Sequence, residues 1–139
     1  MRSWIPLVSK NARLVDVGCA QGRSSFPFVR AGIRVVGFDI SKRMIQNAVQ
    51  RAQTLNIQTN RPFFFVGDAT CFPFDDASFD VVVLHGVLHH VADPAHIAGE
   101  FSRTLAPNGL FLGLENNKPP LRPLFDFLQT LLPQWYEKA

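Results

Sequence analysis

The chain of 139 residues, 47% of them hydrophobic and 18% charged, is long enough for one domain with a sizeable core and too apolar for a disordered chain. Its net charge is +3, its basic residues are spread along the sequence, and no apolar run approaches the ~18 residues of a membrane span, so we expect neither a nucleic-acid partner nor a membrane span. The two cysteines fit no disulfide framework or zinc spacing, and the start of the chain has no apolar leader, which indicates a cytoplasmic protein.

Short apolar runs alternate with longer amphipathic stretches, a pattern typical of strand and helix units around a parallel sheet. Val, Ile, Leu or Phe dominates five predicted strands: Arg13–Val17, Arg34–Phe38, Pro62–Val66, Asp80–Leu84 and Leu110–Leu114. The predicted helices are Ser24–Ala31, Ser41–Leu55, Pro94–Leu105 and an apolar C-terminal helix over Leu121–Leu131 that ends by residue 132. We therefore predict one α/β domain over residues 1–139, a three-layer, doubly wound sheet of about five mainly parallel strands with its core in residues 13–114.

Three element boundaries carry local signals. Ser41 is suited to cap the second helix, and Asp93-Pro94 to open the third, because Asp caps well and Pro fits the first turn. Pro107-Asn108-Gly109 predicts a turn before the fifth strand, with Asn108 in a positive-φ conformation. Apolar residues at helical spacing predict one apolar face on the second helix: Met44, Ile45, Ala48, Val49 and Ala52.

The run from Asp16 to Gly22 is the most informative segment, since it places an acid and three small residues where the first strand turns into a helix. Gly18, Ala20 and Gly22 let the backbone pass close to a ligand. The register is D-x-G-x-A-x-G, whereas a dinucleotide site reads G-x-G-x-x-G and directs backbone N–H groups at a pyrophosphate. A carboxylate at position 16 repels phosphate and suits a ligand with a cationic head, such as the sulfonium and ammonium groups of S-adenosylmethionine.

Polar residues also follow the other strands, where ligands bind in open parallel sheets. Asp39 ends the second strand about twenty residues after the glycine turn, so it is placed to accept hydrogen bonds from both ribose hydroxyls. The alternative role for Asp39 is a helix cap, which Ser41 already supplies. Asp68 follows the third strand and His85 follows the fourth.

From residue 13 to about 114 the chain resembles the class I S-adenosylmethionine-dependent methyltransferases, within them the small-molecule group that includes the ubiquinone/menaquinone and sterol methyltransferases. The resemblance lies in the glycine turn and in the stretches Cys71–Val81, Leu88–Pro94 and Gly99–Gly109. It implies a Rossmann-like fold, S-adenosylmethionine as cofactor, S-adenosylhomocysteine as product and a small, apolar or lipid-like acceptor. The predicted cofactor-binding residues are Asp16, Gly18, Cys19, Ala20, Gly22, Asp39, Ile40, Met44, Asp68, Ala69 and His85.

Some of these residues also have simpler interpretations. The resemblance assigns Asp68 to the adenine amino group and the Ala69 N–H to a ring nitrogen, but a loop Asp also forms turns. Ile40 and Met44 would lie against the adenine face, although Met44 also fits a core position. Glu100 and Arg103, three residues apart on the third helix, predict an ion pair or an anchor to neighbouring backbone.

The histidines at 85, 89, 90 and 96 raise the hypothesis of a metal site. We predict none, because a closed zinc site needs about four good ligands and no acid or cysteine completes this set. The resemblance places His85 near the cofactor edge and lets His89 or His90 face the acceptor, where an imidazole with a pKa of about 6.5 could remove a proton. A loop-ordering hydrogen bond is the alternative for each. Methyl transfer requires no particular catalytic residue, and we assign none.

The chain is short for this family, whose members have helices before the first strand and a final antiparallel strand pair. We therefore expect a truncated domain whose fifth strand is an exposed edge and whose acceptor pocket is open, which predicts a homodimer, a partner chain or weak activity. The C-terminal helix could instead cover part of this surface or begin an acceptor-binding segment. Two other functions stay open. One is a non-catalytic module that binds S-adenosylmethionine; the other, disfavoured by Asp16 and the missing third glycine, is a nucleotide-dependent oxidoreductase.

Overall fold

The computed structural model describes residues 2–57, 62–114 and 135–137. The strands of these residues are β1 (Arg13–Val17), β2 (Arg34–Asp39), β3 (Phe63–Val66), β4 (Phe79–His85), β5 (Leu105–Leu114) and β6 (Trp135–Glu137). They form one sheet in the order β3-β2-β1-β4-β5-β6, and every pairing is parallel. The helices are α1 (Ser25–Arg30), α2 (Lys42–Thr54) and α3 (Pro94–Thr104), with 3-10 helices at Arg2–Leu7 and Leu88–His90. The predicted α/β, doubly wound fold is confirmed.

Apolar side chains cover both faces of the sheet, because successive residues of a strand point to opposite faces. Leu14 of β1 packs in a buried cluster with Trp4 and Phe28. Its neighbour Val15 packs in a second buried cluster, which includes Phe101 of α3. A central strand buried on both faces is apolar at most positions, as Leu14, Val15 and Val17 of β1 show, which is why the strand positions could be read from the sequence.

Helix α2 is capped as predicted, but its buried face is narrower than the sequence indicated. The Met44 N–H donates to Ser41 Oγ at 3.4 Å, and Ile45 and Ala48 are buried. Met44 and Val49 are 37% and 42% exposed. The predicted apolar face is therefore only partly buried, because the helix lies on the sheet near its β3 edge, where only a narrow apolar stripe is covered.

Two expectations at the β5 edge are corrected. The strand begins at Leu105, which pairs with Phe79, and the register shifts before Val81 pairs with Leu110. Asn108 lies inside this irregularity with φ +62°, so its predicted positive φ is confirmed, but the turn predicted before the strand is an irregularity within it. The fifth strand is not an exposed edge at Phe111–Gly113, because β6 pairs with it there. The predicted helix Leu121–Leu131 lies outside the described residues.

Arg103 connects α3 to the loop between β3 and β4. Its guanidinium donates to both carboxylate oxygens of Glu100 at 3.0 and 2.8 Å. It also donates to the Phe74 carbonyl and to Asp76 Oδ1, each at 2.8 Å. Both sequence predictions for Glu100 and Arg103, an ion pair and a backbone anchor, are confirmed.

We expect Arg103→Ala to lower the free energy of unfolding, because the Glu100 carboxylate and a loop carbonyl lose their donor. Arg103→Lys keeps the charge but not the forked geometry, so its loss should be intermediate. Urea denaturation measures the free energy of unfolding of both variants. Arg43→Ala is the matched control, since Arg43 is exposed and makes no described hydrogen bond; a loss as large as that of Arg103→Ala would show that the anchor is unimportant.

Candidate functional site

The strand order reverses beside β1, which has β2 on one side and β4 on the other. In open parallel sheets, ligands bind beyond the carboxyl ends of the strands at this point. A cleft of about 620 Å³ lies there, within the size range of small-molecule sites. Eight of the predicted cofactor-binding residues line it: Gly18, Ala20, Asp39, Ile40, Met44, Asp68, Ala69 and His85. Asp16, Cys19 and Gly22 lie outside this lining.

The turn after β1 has a left-handed backbone at Gly18, Ala20 and Gly22, with φ angles of +66°, +46° and +79°. A Cβ on Gly22 would lie 2.7 Å from the Phe26 ring, so this glycine makes room for packing. Cys19 is buried, and its N–H donates to the Phe38 carbonyl at 3.0 Å. Of the residues in this turn, only Gly18 and Ala20 line the cleft.

Asp39, at the end of β2, holds two loops in place. Its Oδ2 accepts the Ala20 N–H at 3.0 Å, and its Oδ1 accepts the Ser41 N–H at 2.8 Å. Ala20 has the left-handed conformation, which costs an alanine about 1–2 kcal/mol, so the hydrogen bond to Asp39 helps to maintain it. Each carboxylate oxygen keeps a second lone pair, which leaves Asp39 able to accept hydrogen bonds from a ligand at the cleft.

The loop after β3 is ordered by its own side chain and by α3. Asp68 Oδ1 accepts the Thr70 N–H at 2.8 Å, which lowers the pKa of Asp68. The turn interpretation of Asp68 is thus confirmed, and its carboxylate still lies at the cleft. His96 Nε2 lies 2.9 Å from the Thr70 carbonyl, and the His96 N–H donates to Asp93 Oδ1 at 3.0 Å. The predicted Asp93 cap is confirmed, and His96 orders the loop after β3, a role that the sequence did not predict for it.

The other histidines lie around the loop after β4. His85 and His90 line the cleft and are exposed. The ring centroids of His89 and His90 are 3.9 Å apart. Among the described residues, no group of three or more His, Cys, Asp or Glu side chains is arranged to hold a metal ion.

Asp16 is fully buried behind the cleft. Ser24 and Ser25 donate hydroxyl hydrogen bonds to its Oδ2 at 2.6 and 2.5 Å, whereas Oδ1 is buried with no hydrogen-bond partner among the described residues. Burial raises the pKa of Asp16 to about 6, and the two serines oppose that shift. A buried carboxylate oxygen without a hydrogen-bond donor is unfavourable. A donor group on a bound ligand would satisfy this oxygen.

The raised pKa predicts a pH-dependent stability. Below the ordinary Asp pKa of 3.8, both the folded and the unfolded chain hold this proton; between 3.8 and about 6, the folded chain binds it more tightly. The stabilisation is therefore lost as pH rises through about 6. We expect unfolding free energy to fall by about 2–3 kcal/mol more between pH 4 and 7 in the native chain than in Asp16→Asn. Parallel pH profiles from urea titrations would contradict the prediction.

Several cleft residues were not predicted from the sequence. They are Phe38, Ser41, Gly67, Thr70, Gly86, Val87, His90, Val91 and Ala92, although His90 was considered for the acceptor. Most belong to the segment after β4. Val87 lies over the glycine turn, since a Cβ on Gly18 would lie 2.2 Å from Val87 Cγ2. No local pattern marks such a contact, because the two residues are far apart in the sequence.

A parallel sheet with a cleft at its switch point, an acid at the end of β2 and a glycine turn after β1 defines a Rossmann-like nucleotide-cofactor domain. Residues 15–113 match the family described as "Methyltransferase domain". The chain therefore belongs to this family of S-adenosylmethionine-dependent methyltransferases, as the resemblance implied. S-adenosylmethionine is thus the cofactor that the cleft is expected to hold.

Individual relatives agree with this family. The demethylmenaquinone methyltransferase of Renibacterium salmoninarum is 33% identical over 125 residues, which cover 87% of this chain and 50% of that protein. The 27-O-demethylrifamycin SV methyltransferase of Amycolatopsis mediterranei is 36% identical over 98 residues, which cover 70% of this chain and 36% of that protein. The chain thus spans half or less of the length of these curated relatives.

A solved structure shows the same fold. The S-adenosylmethionine-dependent methyltransferase of Methanosarcina mazei superposes with a TM-score of 0.73 at 28% identity, covering 86% of this chain and 59% of that one. No helix among the described residues has the length and apolarity needed to cross a bilayer.

Proposed function

We propose that the protein transfers a methyl group from S-adenosylmethionine to a small, apolar or lipid-like acceptor and releases S-adenosylhomocysteine. One observation carries this proposal: the loops after strands β1 to β4 converge on one cleft, and eight of the eleven predicted cofactor-binding residues line it together. The named acceptors of two relatives, a demethylated menaquinone and a demethylated rifamycin, support a small-molecule acceptor. The apolar side chains Ile40, Val87 and Val91 in the lining support an apolar one.

The described residues provide for each part of such a cofactor. Asp39 would accept the ribose hydroxyls with its remaining lone pairs, and Ile40 and Met44 would cover the adenine face. Asp68 and the Ala69 N–H would bind the adenine edge. All five lie at the cleft, and Ile40 is 73% exposed, which fits a side chain that becomes covered when a ligand binds.

Asp16 is suited to the cationic end of the cofactor. Its orphaned Oδ1 would accept a hydrogen bond from an ammonium group or from a water between them, which would satisfy the one buried oxygen that the protein leaves without a partner among the described residues. Nearby positive charge would also lower the raised pKa of this carboxyl toward its ordinary range. Cofactor binding and deprotonation of Asp16 should therefore favour each other.

The bound cofactor supplies an activated methyl group on a sulfonium, which a nucleophile displaces in line. The protein mainly orients the two reactants, an effect that can reach ~7–11 kcal/mol. Where the acceptor must lose a proton, the imidazoles of His85 and His90 lie at the cleft to receive it at a ring nitrogen. We also propose a cytoplasmic location, which the two free cysteines, one of them the exposed Cys71, support.

Isothermal calorimetry with S-adenosylhomocysteine tests the proposal, with NAD as the matched control ligand. We expect S-adenosylhomocysteine to bind with micromolar affinity and NAD not to bind. A folded chain that binds neither would contradict the cofactor site, and preferential binding of NAD would favour an oxidoreductase. Cofactor binding without turnover on any quinol, phenol or amine acceptor would favour the non-catalytic module.

A further inference from the structure

The charges of the chain are divided unevenly along its length. Residues 1–67 contain ten of the fourteen Lys and Arg residues but only two of the eleven Asp and Glu residues. Those two acids are Asp16, which is buried, and Asp39, which holds backbone N–H groups at the cleft. Helices α1 and α2 contain no acid at all. The helical layer over this half of the sheet therefore has a positive potential.

A groove of about 550 Å³ lies in this layer, between the N-terminal 3-10 helix, α1 and α2. Three exposed arginines, Arg23, Arg30 and Arg51, line the groove and are called its rim. The partly exposed apolar residues Ile5, Pro27 and Leu55 also line it and are called its floor. We call it the Arg groove. It shares no lining residue with the cofactor cleft, so it is a separate site.

The three guanidinium groups have no carboxylate partner among the described residues. The ion pairs found there involve other arginines, Arg13 and Arg103. The Arg51 guanidinium instead lies 5.9 Å from the centroid of the Phe26 ring. Arginines at three positions around one concavity offer forked donors that match phosphate oxygens, while the apolar floor remains available for hydrocarbon.

We propose that the Arg groove binds a phosphate-bearing amphiphile, with the phosphate between the rim arginines and the apolar chain on the floor. A head with a net negative charge would pair with the arginines of the rim, and an apolar chain would pack on the floor. A nucleic acid fits less well, because single-stranded binding relies on exposed aromatic rings and Phe26 is only 5% exposed. The amphiphile could be a soluble phosphate ester or a membrane phospholipid, since both present the same chemistry.

Four soluble probes test the contributions of the anionic head group and of the apolar chains separately. Dihexanoyl phosphatidylglycerol has both; dihexanoyl phosphatidylcholine has the same chains with no net charge; glycerol 3-phosphate has the head alone; a short oligouridylate has phosphates without an apolar chain. We expect saturable binding of phosphatidylglycerol at least tenfold tighter than that of the other three, measured by calorimetry below the micelle concentration. Sedimentation with phosphatidylglycerol vesicles then distinguishes a membrane source from a soluble one.

The variants are Arg30→Gln and Arg51→Gln, with Arg43→Gln as matched control because Arg43 lies on α2 but outside the groove. We expect each rim variant to weaken phosphatidylglycerol binding by about tenfold, the effect of losing one charge-assisted hydrogen bond, and the control to bind normally. S-adenosylhomocysteine binding and a melting temperature equal to those of the native chain show that each variant is folded. Since this site is separate from the cleft, its result and that of the cofactor test are independent.

Four results would overturn the proposal. Equal binding of phosphatidylcholine, whose phosphate is neutralised by choline, would mean that the groove does not select an anionic head. An equal loss in Arg43→Gln would mean that net charge alone attracts the ligand. Tighter binding of oligouridylate, lost in the rim variants, would assign the Arg groove to a nucleic acid. Absence of binding by every probe would contradict an amphiphile site.

Discussion

Asp39→Ala is expected to weaken S-adenosylhomocysteine binding by about 100-fold or more. The substitution removes the proposed acceptors of the ribose hydroxyls, and hydrogen bonds to charged groups contribute about 1.5–3 kcal/mol each. It also removes the acceptor of the Ala20 and Ser41 N–H groups, which lie at 3.0 and 2.8 Å. Two loops that line the cleft thus lose their common support, so the ligand contacts and the shape of the site are lost together.

Two companion variants separate these contributions. Asp39→Asn keeps one acceptor oxygen but places an amide donor against a backbone N–H, so we expect a loss intermediate between native and alanine. Asp75→Ala is the charge-matched control, because Asp75 is exposed and lies outside the cleft lining. Calorimetric titration with S-adenosylhomocysteine measures the affinity of all three variants. Unchanged affinity in a folded Asp39→Ala variant would remove the ribose role from this residue.

Gly18→Ala is expected to lower the free energy of unfolding by about 2–5 kcal/mol. The φ angle of +66° disfavours any L side chain by about 1–2 kcal/mol. The new Cβ would also lie 2.2 Å from Val87 Cγ2, an overlap that must shift the loop after β4 and that typically costs about 1–3 kcal/mol. Because Gly18 and Val87 both line the cleft, cofactor binding should be lost as well.

A double-mutant cycle with Val87→Ala tests the steric part. Truncation of Val87 removes Cγ2 and leaves its Cβ, from which a Cβ added at Gly18 would lie 3.5 Å away, an ordinary contact distance. In the Gly18→Ala background, we expect Val87→Ala to restore the part of the unfolding free energy that the steric overlap costs. The part that the positive φ costs should remain. Urea denaturation of the four proteins gives the coupling energy. Strict additivity would show that the two residues do not meet.

The sequence of the glycine turn predicts its backbone conformation but not which of its residues line the cleft. The sequence predicted a backbone with small residues next to a ligand, and three of them do have positive φ. Gly22, however, packs against Phe26, and Cys19 is buried. Which residues of a turn face a cleft depends on the elements that pack around it.

The sequence by itself determined what depends on short-range preferences: the parallel strands, the Ser41 and Asp93 caps, the positive φ of Asn108 and the strand ends that carry the site. These features follow from side-chain burial, capping and backbone sterics within a few residues. Tertiary structure alone decided the burial of Asp16 beneath two serines, the pairing of β6 with β5 and the contact of Val87 with Gly18. The physical reason is that these features depend on which distant segments the fold brings together, and the sequence pattern of one segment does not specify its neighbours in space.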